Sequence, residues 1–158
     1  MVISLGFNIV LVEPEIPPNT GNISRLCAAV GARLHLIKPL GFSIDDRHLK
    51  RAGLDYWHLV EVVVHESWEG FMGSVRPEQI CLSTTKGGRH YTSVSFEPGS
   101  YLVFGRETRG LPPELLAAYP QRCIRIPMID EARSLNLSNA VAVVLYEALR
   151  QHGFPDLR

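Results

Sequence analysis

This chain has no run of about 18 or more apolar residues, so nothing in it reads as a membrane-spanning helix. Neither sign of charge is in excess: sixteen Lys and Arg balance sixteen Asp and Glu in 158 residues. That excludes a general polycation gripping nucleic acid by bulk charge, but leaves room for a local basic patch. Cysteine is scarce, with Cys27, Cys81 and Cys123 only, no CxxC pair, and each within an apolar segment. These read as small buried hydrophobes of a reduced, cytoplasmic protein rather than a disulfide framework. The six histidines are scattered without an HExxH-like pair, and no metal site is assigned. A GxGxxG turn and a Walker sequence are missing too, as are internal repeats and low-complexity linkers. Residues 1–12 are apolar but carry neither a basic leader nor a small-residue cleavage site, and read as a first strand rather than a secretory signal.

What remains is a globular composition, 46% hydrophobic and 20% charged, of a length that suits one domain, taken here as residues 1–158. Short apolar runs alternate with amphipathic segments. Residues 8–14, 33–38, 59–65, 79–85, 100–104 and 122–127 read as strands. Pro17 and Pro18 mark 15–19 as a rigid loop, followed by a helix over 20–30 that Gly31 is placed to end. Further helices are expected over 47–52, from the Ser67 cap to about 75, from the Pro112–Pro113 pair through 118, and over 135–152. Strands separated by helices predict an α/β domain, a parallel sheet with helices on both faces, with ligands beyond the carboxyl ends of the strands. The last helix is apolar nearly all round. Leu137, Val141, Val144, Leu145 and Ala148 line one face, and Ala142, Val143, Tyr146 and Leu149 much of the rest. A second covering is expected there, another copy of the chain, the alternative being a fully internal helix.

Three segments carry unusual residues: NTGNISR (19–25), FGRETRGL (104–111) and IPMIDEARSLNLSN (126–139). Singly each has a structural reading, as turn glycines at Gly105 and Gly110 or as caps at Asn19 and Thr20. Together their order, spacing and wording resemble the SPOUT-class RNA methyltransferases. Within that class the chain is similar to the small tRNA 2′-O-ribose methyltransferases of the wobble nucleotide. The likeness covers nearly the whole chain, including NIVLVEPEIPPNTGNISRLCA, GFSIDDRHLKRAGLDYW and IPMIDEARSLNLSNAVAVVLYEALRQ.

The resemblance implies a deep C-terminal trefoil knot, which no periodicity argument could supply, because threaded chains are so rare. It implies S-adenosylmethionine as methyl donor and S-adenosylhomocysteine as product. The cofactor pocket it implies involves Ser83, Gly105, Glu107, Ile126, Met128, Ser134 and Leu135, with Glu107 bracing its loop by accepting main-chain N–H bonds. It further implies methylation of the 2′-hydroxyl of nucleotide 34, cytidine or 5-carboxymethylaminomethyluridine, in leucine-type tRNAs, by a homodimer joined through the knot region. The catalytic position falls on Arg25, with Asn139 facing the reacting centre. A guanidinium carries hydrogen-bond donors only, so Arg25 is easier to defend as a phosphate clamp and stabiliser of a developing alkoxide than as a base.

Basic residues cluster at Arg47–His48–Lys50–Arg51, at Lys86–Arg89–His90 and at Arg106–Arg109. Such clusters can track the phosphates of a tRNA anticodon stem-loop, with Tyr56, Trp57 or Tyr91 stacking on an unstacked base. Two alternatives stay open: a SPOUT enzyme acting on another tRNA or rRNA ribose, and a non-catalytic RNA-binding α/β module.

Overall fold

The computed structural model describes residues 5–158. Among them seven strands form one sheet: β1 (Asn8–Val12), β2 (Arg33–Ile37), β3 (Val62–His65), β4 (Ile80–Ser83), β5 (Arg89–His90), β6 (Tyr101–Phe104) and β7 (Cys123–Arg125). All neighbours are parallel, in the order β3-β2-β1-β6-β4-β7-β5. The helices are α1 (Pro17–Val30), α2 (Arg47–Gly53), α3 (Trp68–Met72), α4 (Pro113–Ala118) and α5 (Leu137–Gln151).

The period-2 geometry of a strand divides the core in two. Ile9 and Leu11 of β1, Leu34 and Leu36 of β2, and Leu102 and Phe104 of β6 pack with Ile23 and Cys27 of α1 and with the apolar face of α5. Val10, Val12, Ile37 and Val103 point the other way, onto Phe71 of α3 and Leu115 of α4. A sheet covered on both faces explains why β1 is buried at every position instead of alternating.

Some boundaries differ from the sequence reading. Pro17 and Pro18 are not loop but the first turn of α1, where a missing N–H costs nothing because that donor has no intrahelical partner. Gly31, at φ 76°, ends the helix as expected. Residues 54–59 wind as a 3₁₀ turn ahead of a shortened β3, and another 3₁₀ turn over Pro77–Gln79 precedes β4. α3 stops at Met72, β7 keeps three residues, and α5 starts at Leu137 rather than 135, capped by Asn136. The two-residue β5 was not anticipated, since both its residues are exposed and it has no apolar period.

Two strands enter the sheet between strands that precede them in the chain: β6 between β1 and β4, and β7 between β4 and β5. The segments leaving β4, β6 and β7 therefore emerge side by side at one end of the sheet. On α5, Val143 and Tyr146 remain exposed at 37% and 44%, so a single chain leaves that side of the helix uncovered. Among the described residues no helix is long and apolar enough to cross a membrane.

Candidate active site

The segment after β6 folds back on itself. Arg106 N donates to Gly110 O at 3.2 Å, and Gly110 N returns a bond to Arg106 O at 2.8 Å. A Cβ on Gly105 would drive into the carbonyl carbon of Gly110 and the nitrogen of Leu111, and Gly110 itself sits at φ 69°. Both glycines are therefore required by the backbone path. This loop walls a cavity of about 790 Å³. The other walls come from Ser83 at the end of β4 and the residues on to Lys86, from Ile126 and Met128 after β7, and from Arg133 to Leu135 ahead of α5. Ser83, Gly105, Glu107, Ile126, Met128, Ser134 and Leu135, far apart in the chain, all line it.

Behind the cavity, two carboxylates tie this loop to the start of α1. Glu107 Oε2 accepts from Glu15 N at 2.8 Å, and Glu107 Oε1 accepts from Ile16 N at 3.2 Å, which is the bracing expected of Glu107. Glu15 Oε1 in return accepts from Thr108 N at 3.1 Å and from Thr108 Oγ1 at 2.8 Å. The Thr108 hydroxyl, followed by its N–H, holds the Glu15 carboxyl below the usual carboxylate range. Arg106 pairs with Glu13 at 3.0 Å, and Glu13 adopts φ 53°, a left-handed conformation costly for a residue with a side chain. At the mouth of α5, Asn136 Oδ1 caps the helix by accepting from Ser138 N at 2.9 Å and Asn139 N at 3.3 Å. Its Nδ2 donates to Asn19 Oδ1 at 3.2 Å.

Arg25 and Asn139 do not line the cavity. Arg25 is exposed on α1, its guanidinium carbon 5.4 Å from the centre of the Tyr56 ring. Asn139 is exposed in the first turn of α5. The Asn19–Asn136 bond places the beginnings of both their helices together. Lys86, Arg106, Arg109 and Arg133 bring cations to the cavity rim. Arg89 and His90 lie on the β5 edge, where His90 Nε2 is 3.4 Å from Arg125 Nη2. The run on α2 is not part of the cavity lining; it belongs to a helix packed on α1.

Sequence reasoning missed Glu15 and Thr108. EIPPN reads as a proline loop, and nothing local signals a partner 93 residues away. Burial pushes the Cys27 thiol up to about 12 and raises Cys81 and Cys123 as well, so these cysteines are protonated and unsuited to nucleophilic work. Among the described residues no group of three or more His, Cys, Asp or Glu is placed to hold a metal ion.

Fold and cavity together define an α/β protein with a ligand-sized cavity in loops beyond the carboxyl ends of parallel strands, without a glycine-rich phosphate turn. The chain belongs to the SpoU rRNA Methylase family, whose model matches residues 6–146. It is 55% identical over 149 residues to the tRNA (cytidine(34)-2′-O)-methyltransferase of Escherichia coli K12, spanning 94% of this chain and 95% of that one. A solved structure described as giving insights into the 2-OH methylation of C/U34 on tRNA superimposes with a TM-score of 0.88 at 44% identity, covering 92% of this chain and 95% of that one. The SpoU methyltransferase AviRb from Streptomyces viridochromogenes, solved in complex with the cofactor AdoMet, gives a TM-score of 0.83 at 26% identity over 96% of this chain and 62% of its own.

Proposed function

We propose that this chain is an S-adenosylmethionine-dependent tRNA methyltransferase that methylates the ribose 2′-hydroxyl of nucleotide 34, cytidine or 5-carboxymethylaminomethyluridine. The near full-length match to a tRNA (cytidine(34)-2′-O)-methyltransferase carries the reading. The convergence of Ser83, Gly105, Glu107, Ile126, Met128, Ser134 and Leu135 on one cavity supports it.

The residues present fit the donor. The cavity volume lies in the range of small-molecule sites. Ile126, Met128 and Leu135 offer an apolar face to a purine, while Gly105 and Gly110 leave main-chain groups approachable. Arg133 offers a cation to an amino-acid carboxylate. Bound there, S-adenosylmethionine would supply the methyl group to the ribose 2′-oxygen as that hydroxyl's proton passes to water, with S-adenosylhomocysteine as product.

Arg25 then grips the RNA phosphate and steadies negative charge developing on the sugar oxygen, with its planar fork presenting several donors at once. Asn139 faces the same centre from α5. Positioning carries much of the rate, because the acceptor oxygen must be held behind the methyl carbon. Lys86, Arg106, Arg109 and the Arg89–His90 edge track the anticodon stem-loop, giving a formally neutral protein a local basic face.

In this reading residues 1–158 form one methyltransferase domain working in the cytoplasm. Its C-terminal third is threaded as a trefoil knot, a reading supported by the way β6 and β7 enter between earlier strands. It works as a homodimer through the knot region, supported by the exposed Val143 and Tyr146 on α5 and by Phe154, whose ring centre is 6.3 Å from that of Tyr146.

The test is methyl transfer to total tRNA with labelled donor, followed by digestion and mapping. A 2′-O-methyl mark at nucleotide 34 is expected; a mark confined to any other ribose overturns the assignment.

A further inference from the structure

We propose that Glu15 is a positioning residue: clasped to Thr108, it holds the first turn of α1 against the cavity wall and so sets where Arg25 stands relative to bound donor. This rests on the reading above, in which the wall at Gly105 to Thr108 faces the donor and Arg25 acts on the acceptor.

The clasp is reciprocal. Glu107 reaches from the cavity loop to the main chain of Glu15 and Ile16, and Glu15 reaches back to the main chain and hydroxyl of Thr108. Four hydrogen bonds thus join two segments about 92 residues apart in the chain. Glu107 and Thr108 line the cavity; Ile16 immediately precedes Pro17, where α1 begins. The helix is unbroken from there to Val30, so a tilt at its start is carried to Arg25, about 12 Å along the axis at 1.5 Å per residue.

On the far side the main chain of Gly41 closes on Glu15. A Cβ at position 41 would lie 2.8 Å from Glu15 Cα, and Gly41 N donates to Pro14 O at 2.9 Å. The 13–16 segment is therefore held between two loops, with its carboxylate facing only one of them. The bonds from Thr108 to Glu15 are solvent-exposed, so water competes for both partners and they add little to stability. Their consequence is geometric: they fix the angle at which the helix bearing Arg25 leaves the cavity wall.

The experiment is hydrogen–deuterium exchange over residues 15–25 with and without saturating S-adenosylhomocysteine, alongside calorimetry of that ligand and steady-state methylation of tRNA. In the wild-type protein the ligand is expected to slow exchange across this segment. In Glu15→Ala the slowing is lost and kcat falls about tenfold or more, while the ligand Kd and the KM for tRNA stay within about threefold. Glu15→Gln keeps an acceptor for Thr108 and restores both readouts. Thr108→Val removes the shorter bond to Glu15 and is read in the same way should Glu15→Ala not fold. Ligand-induced protection in Glu15→Ala equal to that of the wild type overturns the proposal, as does equal loss in Glu15→Ala and Glu15→Gln. Absence of tRNA methylation by the wild-type protein overturns the functional reading instead; the exchange comparison, which needs only ligand binding, still decides the clasp.

Discussion

Asn136 and Asn19 meet side chain to side chain, Nδ2 to Oδ1 at 3.2 Å, where the first turns of α5 and α1 come together. One asparagine thereby caps its own helix and ties it to another. Asn136→Ala is expected to destabilise the protein by about 1–2 kcal/mol through the lost cap alone. Asn136→Asp keeps the acceptor for Ser138 and Asn139 but loses the donor to Asn19, so it separates cap from tie. Urea unfolding at constant slope measures both, and an unchanged midpoint in Asn136→Ala would refute the capping role.

Stability should fall in acid because of His35. Asn8 donates its Nδ2 to Gly6 O at 3.0 Å and Gly99 O at 3.2 Å, leaving its Oδ1 to accept from His35 Nε2 at 3.0 Å. His35 Nδ1 must then accept from His65 Nε2 at 2.9 Å, which requires the His35 ring to be neutral. Burial, then the neighbouring His65 and Arg33, pushes His35 down from 6.5 to about 4, and burial lowers His65 as well. The unfolded chain takes up this proton first as pH falls. The contribution is therefore intact above about 6.5 and lost progressively down to about 4, with a slope of up to about 1.4 kcal/mol per pH unit. Denaturant titrations between these pH values should show a steeper loss for the wild type than for His35→Gln; parallel curves would exclude the mechanism.

Arg25→Ala should lower kcat by about 10²–10³ if the guanidinium steadies the developing charge. Arg25→Lys should recover little, because an ammonium lacks the planar fork. Calorimetry should find S-adenosylhomocysteine bound by both variants as by the wild type, since Arg25 does not line the cavity. Undiminished turnover in Arg25→Ala removes it from the reaction.

Tyr146→Glu places a charge on the exposed side of α5 without disturbing Val141, Val144, Leu145 or Ala148, which face the core. Sedimentation velocity should show a shift from dimer toward monomer, with the thermal midpoint of the remaining monomer reporting on whether the fold survives. An unaltered sedimentation profile would place any dimer contact elsewhere.

The strands that run through the middle of the sheet were legible because β1 and β2 are short apolar runs stopped by Pro14 and Pro39, a signal that lies within or just beyond the segment. The cavity residues were named by the family resemblance; taken alone, Gly105, Gly110 and the capped start of α5 showed only turns and a cap, local backbone requirements visible as residue types. Pro17 and Pro18 misled because the same fixed φ that breaks a helix interior suits its first turn. Glu15 and His35 were invisible for another reason. Each takes its meaning from a side chain or loop brought close only by parallel pairing, Thr108 in one case and His65 in the other. A glutamate beside prolines and a histidine inside an apolar strand have no local pattern that names such partners.

The late arrival of β6 bears on biosynthesis. A ribosome delivers β1, β2 and β3 first, yet the second neighbour of β1 is residues 101–104. Until those residues emerge, NIVLV presents a bare, unpaired backbone edge, the kind of surface on which nascent polypeptides stick to one another. Productive maturation of this enzyme is therefore a late event, reached only after most of the polypeptide has been made, and truncated products ending before residue 101 should be clients of chaperones rather than stable fragments.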